Sequence, residues 1–265
     1  MIEIVDAGLL STVQDQGRAG HAAVGVPRSG AVDLRLASHC NRLVGNATDA
    51  AVIETLGGLT LRAVTPVVVA SDSEPVARSL GAGEALTVPA GEQQWRYVAV
   101  RGGIDVEPVL GSRSTDTLSG LGPRPLQAGD HLPISVDPRA TPVGEVWPLR
   151  PADGPVGITP GPRVHWFAED ALGVMTSGVW TVGDASRVGV RLRGPELERV
   201  VQGELPSEGL VRGAIQVPPD GNPIMMLADH PTTGGYPVIA VVDPDDVATL
   251  AQRRAGEAVR FRNRR

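Results

Sequence analysis

Short apolar runs, broken by glycine and proline, follow one another along the chain, and helical stripes are scarce. "PVVVAS" (66–71), "WRYVAVRGG" (95–103), "PIMMLAD" (223–229) and "YPVIAVVD" (236–243) have the length and apolar content of strands. "RVGVRLRG" (187–194) alternates strictly, with Val188, Val190 and Leu192 on one face and Arg187, Arg191 and Arg193 on the other. A strand of that kind covers a core with one face and meets water with the other. A small turn also recurs, Ala-Gly and an acid before a strand: "AGEALTV" (82–88), "AGEQQWRYVAV" (90–100), "AGDHLPI" (128–134) and "AGEAVRF" (255–261). The glycine supplies positive φ, and the acid accepts nearby backbone N–H groups.

Two segments have helical spacing. "VDLRLASHCNRLVGN" (32–46) sets Leu36, Cys40, Leu43 and Val44 on one stripe, with Gly45 and Asn46 to end it. Cys40 lies on that stripe, which makes it a core residue rather than a nucleophile. "DPDDVATLAQRRAG" (243–256) starts with Asp243 as a cap and Pro244 in the first turn. Arg253 and Arg254 then complement the helix dipole, and Gly256 ends the element.

Between 137 and 155, "DPRATPVGEVWPLRPADGP" carries five prolines and no period, which marks a linker. The pattern predicts two mainly β halves, 1–140 and 150–265, with a few short helices.

Composition narrows the chemistry. All 24 basic residues are arginine, and there is no lysine. A P-loop, a Schiff-base enzyme, a biotin carrier and a Ser-Ser-Lys amidase each need a lysine, so this chain alone is none of them. One cysteine allows no internal disulfide. A net charge of −6 argues against a general nucleic-acid surface. Six arginines between Arg253 and Arg265 are the local exception; they are a solvated end, or a surface for an anion or an acidic partner. No apolar run reaches the roughly eighteen residues of a membrane span, and no signal peptide opens the chain, so the expected compartment is the cytoplasm.

Four polar, glycine-rich segments are candidates for a site. "STVQDQGRAGHAAVGVPRSGAVD" (11–33) gathers Gln14, Asp15, Arg18, His21, Arg28, Ser29 and Asp33, a mixture suited to a carboxylate or amide substrate or to a loop held by its own salt bridges. "VRGGIDVEPVLGSRSTDT" (100–117) places Arg101 and Arg113 among glycines and hydroxyls, as an anion cradle would. "LPSEGLVRGAIQVPPDGNP" (205–223) offers Ser207, Glu208, Gln216 and Asp220, of which Asp220 belongs to a turn on its own terms. "ADHPTTGGYPVIA" (228–240) brings Asp229 and His230 to a strand end, followed by Thr232, Thr233, Gly234 and Gly235. Adjacent side chains of an extended segment diverge, so Asp229 and His230 are not a dyad by adjacency. His230 is either a base oriented by another segment or an imidazole bonded to the turn backbone. The five histidines have no metal-ligand spacing, and no Gly-x-Ser-x-Gly elbow is present.

Together, "TVQDQGRAGHAAVGVPRSGAVD", "NRLVGN", "VRGGIDVEPVLGSRSTDT", "SEGLVRGAIQVPPDGNPIMMLADHPTTGGYPVIAVV" and "LAQRRAGEAVRF" resemble the biotin-dependent carboxyltransferase, or allophanate hydrolase subunit 2, family over nearly the whole chain. That family includes the C subunit of bacterial ATP-dependent 5-oxoprolinase and KipA-type antagonists of a kinase inhibitor. The resemblance implies a cyclophilin-like β-barrel architecture. It also implies a KipI-like partner (the B subunit) and a third, A-type partner, in a complex that uses ATP to cleave 5-oxo-L-proline to L-glutamate. The alternatives are the carboxyltransferase subunit of a urea carboxylase pathway and a non-enzymatic binder of a KipI-like inhibitor. Biotin would sit on another chain, and ATP would be used at the level of the complex. The roles assigned on this reading are proton handling by His230, with Asp229 beside it, and anion holding by Arg18, Arg101 and Arg113. Gln14, Asp15, Gln216, Thr232, Thr233, Gly234 and Gly235 would complete the substrate cradle.

Overall fold

A computed structural model of the chain describes residues 1–91, 93–135 and 154–264. Contacts divide it into two compact units, one of Met1–Ala19 with Ser29–Arg150 and one of Gly20–Arg28 with Pro151–Arg265. Up to residue 153, the stretch read as a linker (137–155) lies outside the described residues.

The first unit contains β1 (Ile2–Ala7), β2 (Ser11–Gln14), α1 (Leu34–Leu43), β3 (Val52–Thr55), β4 (Leu59–Ala63), β5 (Val67–Ser71), β6 (Arg78–Leu80), β7 (Ala85–Val88), β8 (Arg96–Val100) and β9 (His131–Leu132). They form a sheet ordered β7-β4-β1-β9 and another ordered β2-β3-β8-β5-β6. Period-two burial explains the first sheet: Ile2, Ile4, Leu59, Leu61, Leu86 and Val88 point inward, while Arg62, Ala85 and Thr87 stay exposed. These residues join Val13, Ile53, Val98 and Val100 of the other sheet in one apolar cluster. Helix α1 starts at Asp33, whose carboxylate accepts from the backbone N–H groups of Arg35 and Leu36. Cys40 is buried on its inner stripe, as the spacing requires, and burial pushes its thiol well above the ordinary range.

The second unit contains β10 (Val156–Pro160), α2 (Ala171–Ser177), β11 (Trp180–Ala185), β12 (Gly189–Arg193), β13 (Glu208–Gly209), β14 (Ala214–Gln216), β15 (Ile224–Met226), β16 (Thr233–Gly234), β17 (Val238–Val242), α3 (Val247–Ala251), β18 (Ala258–Val259) and β19 (Phe261–Asn263). Eight of these strands pair in the order β18-β11-β12-β15-β14-β17-β10-β19. The two edge strands are consecutive in sequence, with only Arg260 between them. The sheet must therefore curl until its edges nearly meet, and covalent continuity at Arg260 joins them. The chain is mainly β, with a nearly closed barrel sheet and few helices.

Three of the four recurring Ala-Gly-acid turns share a mechanism; in the fourth, Gly91 has no positive φ and the acid, Glu92, lies outside the described residues. Gly83, Gly129 and Gly256 sit at φ 85°, 89° and 88°. In each case the following acid accepts from the backbone N–H three residues before it: Glu84 from Gly81 at 2.7 Å, Asp130 from Gln127 at 2.8 Å and Glu257 from Arg254 at 2.9 Å. Each turn leads into a strand, β7, β9 or β18.

Two expectations change. Helix α3 spans only Val247–Ala251, because the cap position falls at Asp246 rather than Asp243. Arg187, placed by alternation on the wet face, is 1% exposed. The ladder of β12 begins at Gly189, so residues 187–188 lie before it and need not follow its alternation.

Candidate functional site

In the first unit the polar segment after β2 folds against residues 109–122. Gln14 ends the strand with its Nε2 donating to the Thr115 carbonyl at 2.9 Å. Asp15 follows as a hub: Oδ1 accepts from the Gly17 N–H at 2.8 Å and from the Ser112 and Ser114 hydroxyls at 2.6 Å each. Its Oδ2 accepts from the Arg113 N–H at 2.6 Å. Four donors occupy this carboxylate, so it shapes the loop that presents Arg113 and Arg18. Ser29, at φ 56°, donates its hydroxyl to the same Thr115 carbonyl at 3.1 Å. His21 and Arg28, expected beside these residues, belong to the segment Gly20–Arg28 of the second unit.

The three arginines of the expected anion cradle have different surroundings. Arg101 donates to the carbonyl of Val44 at 2.7 Å, where it serves the C-terminal end of α1. Arg113 donates to Val106 O at 2.8 Å and to Asp105 at 2.9 Å. It lines a polar cleft of about 290 Å³ together with Asn46, Asp49, Asp105 and the Gly102–Gly103 backbone. Arg18 is 2% exposed and donates to the carbonyls of Val109 and Ser114.

Gly122 closes this loop. Its φ is 83°, and a Cβ there would lie 2.1 Å from the Ser114 carbonyl oxygen that Arg18 uses. Gly122→Ala is therefore expected to cost about 2 kcal/mol or more, from left-handed backbone strain plus displacement of that carbonyl. Urea denaturation, read as a midpoint shift at unchanged slope, checks this.

In the second unit Asp229 and Arg187 are 0% and 1% exposed, and they pair in a planar fork: Nε to Oδ2 at 2.8 Å and Nη2 to Oδ1 at 2.9 Å. The backbone reinforces the pair, since the Asp229 N–H donates to Arg187 O at 2.9 Å and the Leu227 N–H to Val188 O at 2.9 Å. His230, 8% exposed, follows directly. Its Nδ1 lies 2.7 Å from the Pro231 carbonyl oxygen. A carbonyl only accepts, so Nδ1 carries the proton in the neutral ring and Nε2 is the basic nitrogen.

Gln216, buried on β14, donates to Tyr236 O at 2.9 Å. It packs on Gly234, where a Cβ would stand 2.8 Å from Gln216 Nε2 and from Leu210 Cδ1. Gly234 and Thr233 form β16, which pairs with β13, and Thr232 O accepts from the Leu210 N–H at 2.9 Å. Gly235 packs near the Leu205 carbonyl. Glu208 of β13 is held by Arg163 in a two-pronged ion pair. Asp220 stays at the surface, where the Asn222 N–H, and then Arg191, hold its carboxyl below the usual range.

The structure thus gathers Gln14, Asp15, Arg18 and Arg113 in one unit, and Asp229, His230, Gln216 and Thr232–Gly235 in the other. Arg101 stands apart from the first group. Sequence reasoning misses Arg187, Arg163 and Thr115. The two arginines carry no local signal, because their carboxylate partners are 42 and 45 residues away. Thr115 is visible only as one of several hydroxyls beside Arg113.

Against known proteins, the family model described as "Carboxyltransferase domain, subdomain A and B" matches residues 24–263. The C subunit of the 5-oxoprolinase of Escherichia coli (strain K12) is 36% identical over 285 residues, covering 98% of this chain and 90% of that protein. The urea amidolyase of Lachancea kluyveri is 31% identical over 304 residues, covering 98% of this chain but 17% of the relative. The crystal structure of TTHA0988 has a TM-score of 0.88 at 36% identity, with 98% of this chain and 55% of that one covered.

Proposed function

The chain belongs to the carboxyltransferase domain, subdomain A and B, family, and from that premise we propose that it works as the C subunit of an ATP-dependent 5-oxoprolinase. The observation that carries this reading is the extent of the match, which takes in 90% of the C subunit of the E. coli 5-oxoprolinase but only 17% of the urea amidolyase. The complex would contain a KipI-like B subunit and an A-type partner, and would open 5-oxo-L-proline to L-glutamate.

The lactam is a stable amide, so ATP would transfer its terminal phosphoryl group to the amide oxygen. That oxygen then becomes a leaving group. Water adds to the activated carbon, the C–N bond breaks, and phosphate departs as a second water supplies the remaining oxygen. His230 Nε2 is the base for the first water, with the ring held through Nδ1 on Pro231 O. The N–H and hydroxyl groups of Thr232–Gly235 supply donors around the developing negative charge. Arg113, at the polar cleft of the first unit, is a separate anion-holding group on this reading.

The urea amidolyase match keeps a carboxyltransferase as the second reading. There the carboxyl group would arrive on a biotin carried by another chain, since this one has no lysine.

The test is turnover by the chain assembled with its B- and A-type partners, following ATP hydrolysis and glutamate on 5-oxo-L-proline. We expect one glutamate per ATP, and a drop in kcat of at least about 100-fold for His230→Ala with little change in Tm. Full coupled turnover by His230→Ala would remove this residue from the chemistry. No glutamate from the wild-type complex, with carboxyl transfer to urea when carboxybiotin is supplied, would replace the first reading by the second.

A further inference from the structure

Three arginines among the described residues are less than 10% exposed: Arg18, Arg96 and Arg187. Two of them have a carboxylate at 2.8 Å, Asp72 for Arg96 and Asp229 for Arg187. Arg18 has no ion-pair partner among the described residues. Its Nε reaches Val109 O at a long 3.4 Å, its Nη2 donates to Ser114 O, and its Nη1 is buried with no hydrogen-bond partner among the described residues. The nearby Asp15 carboxylate does not pair with it, because its oxygens are taken by Gly17, Ser112, Arg113 and Ser114.

A guanidinium keeps its charge, and a buried cation without a counter-charge is costly. The surroundings are unfinished in the same way. Thr115 Oγ1 and Gln14 Oε1 are also buried without partners, so this one pair of segments holds three of the six such side-chain atoms found among the described residues. Both residues are fixed there by contacts with β2, the Thr115 N–H donating to Val13 O at 2.9 Å and the Gln14 side-chain Nε2 donating to Thr115 O at 2.9 Å.

We propose that Arg18 is the anchoring cation of a carboxylate-binding subsite, in which the ligand's carboxylate supplies the missing counter-charge to Nη1 and accepts from the Thr115 hydroxyl. On the 5-oxoprolinase reading, on which this identification of the ligand rests, the carboxylate is that of 5-oxo-L-proline. Nη1 is shielded from solvent, so the ligand enters as residues 109–122 open. That loop contains Leu110, a bulky residue held at φ 51° and 48% exposed, a backbone state that stores strain in the closed loop.

The experiment is thermal melting of the full chain, wild type and Arg18→Met, with 5-oxo-L-proline, its uncharged carboxamide, or acetate, at constant ionic strength set by chloride. For the wild type, a hundredfold excess of 5-oxo-L-proline over its Kd is expected to raise Tm by about 5 °C or more, and the carboxamide to leave it unchanged. Ligand-free Arg18→Met is expected to melt at or above the wild-type temperature, because a costly charge has gone, and to lose the response. Arg18→Lys keeps charge without the planar fork and is expected to fold with a weaker response. A rise with acetate but none with 5-oxo-L-proline would keep the subsite and reject the lactam substrate. The subsite is overturned if no carboxylate raises the wild-type Tm beyond the chloride control. It is equally overturned if both Arg18 variants melt well below wild type with the response intact, which would make the guanidinium a structural strut.

Discussion

Asp229→Ala lowers the stability of the chain by about 3–5 kcal/mol, an expected fall in Tm of about 10 °C for a protein of this size. Arg187 is 1% exposed and two of its nitrogens are held by the two Asp229 oxygens, so truncation takes a paired carboxylate away from a buried guanidinium. The penalty comes from removing a counter-charge from a buried cation rather than from the worth of the pair, since desolvation offsets most of the Coulomb gain. Replacing both residues, as Arg187→Met with Asp229→Leu, is accordingly expected to recover most of the loss. Urea denaturation of the single and double variants measures this directly. A double variant no better than Asp229→Ala would show that the fork is needed for its geometry and not only for neutrality. The same pair holds the turn that carries His230, so Asp229→Asn is expected to fold more stably than the alanine variant yet turn over slowly. In that reading Asp229 orients the base and does not itself take a proton.

Asp15→Ala is the second large effect, with an expected loss of about 3–4 kcal/mol. The carboxylate accepts four hydrogen bonds at 2.6–2.8 Å, two of them from backbone N–H groups of Gly17 and Arg113. Bonds to a charged acceptor contribute about 1.5–3 kcal/mol each, but the two serine hydroxyls can turn to other partners, so the four do not add. Asp15→Asn separates the contributions. An amide oxygen at the Oδ1 position keeps three of the donors, and the amide NH2 then faces the Arg113 N–H, donor against donor. The asparagine variant should therefore fall between wild type and alanine, as urea denaturation of the three proteins would show. Equal stability of all three would mean that the 109–122 loop is held by its backbone contacts alone.

Much of the architecture is legible in the sequence because it rests on short-range rules. Strand β12 follows its alternation from Gly189 onward, with Val190 and Leu192 buried. Helix α1 lies where a stripe ending in Gly45 places it, and Cys40 is in the core. Three of the four Ala-Gly-acid turns do what the residue types imply, a left-handed glycine followed by a carboxylate on the N–H three positions back. Spacing overestimates helix α3 for the same reason: Asp243, Asp245 and Asp246 are all credible caps, and local pattern alone does not choose among them.

The candidate residues are legible as types but not as roles. Asp15, Arg18, Arg101, Arg113 and Asp229 read alike in the sequence, as charged groups among glycines. In the structure Asp15 is saturated, Arg101 serves a helix end, Arg113 lines a cleft and Asp229 is locked to Arg187. Of these five, only Arg18 is left buried and incomplete. By itself the sequence determined the strands, the turns, the absence of lysine chemistry and the family, because these depend on residue type and on spacings of two to four. The tertiary structure alone decided which charges are satisfied. The groups that satisfy them lie 42 residues away for Asp229 and 97 for the Ser112 hydroxyl on Asp15, and at those separations only the folded chain brings donor and acceptor together.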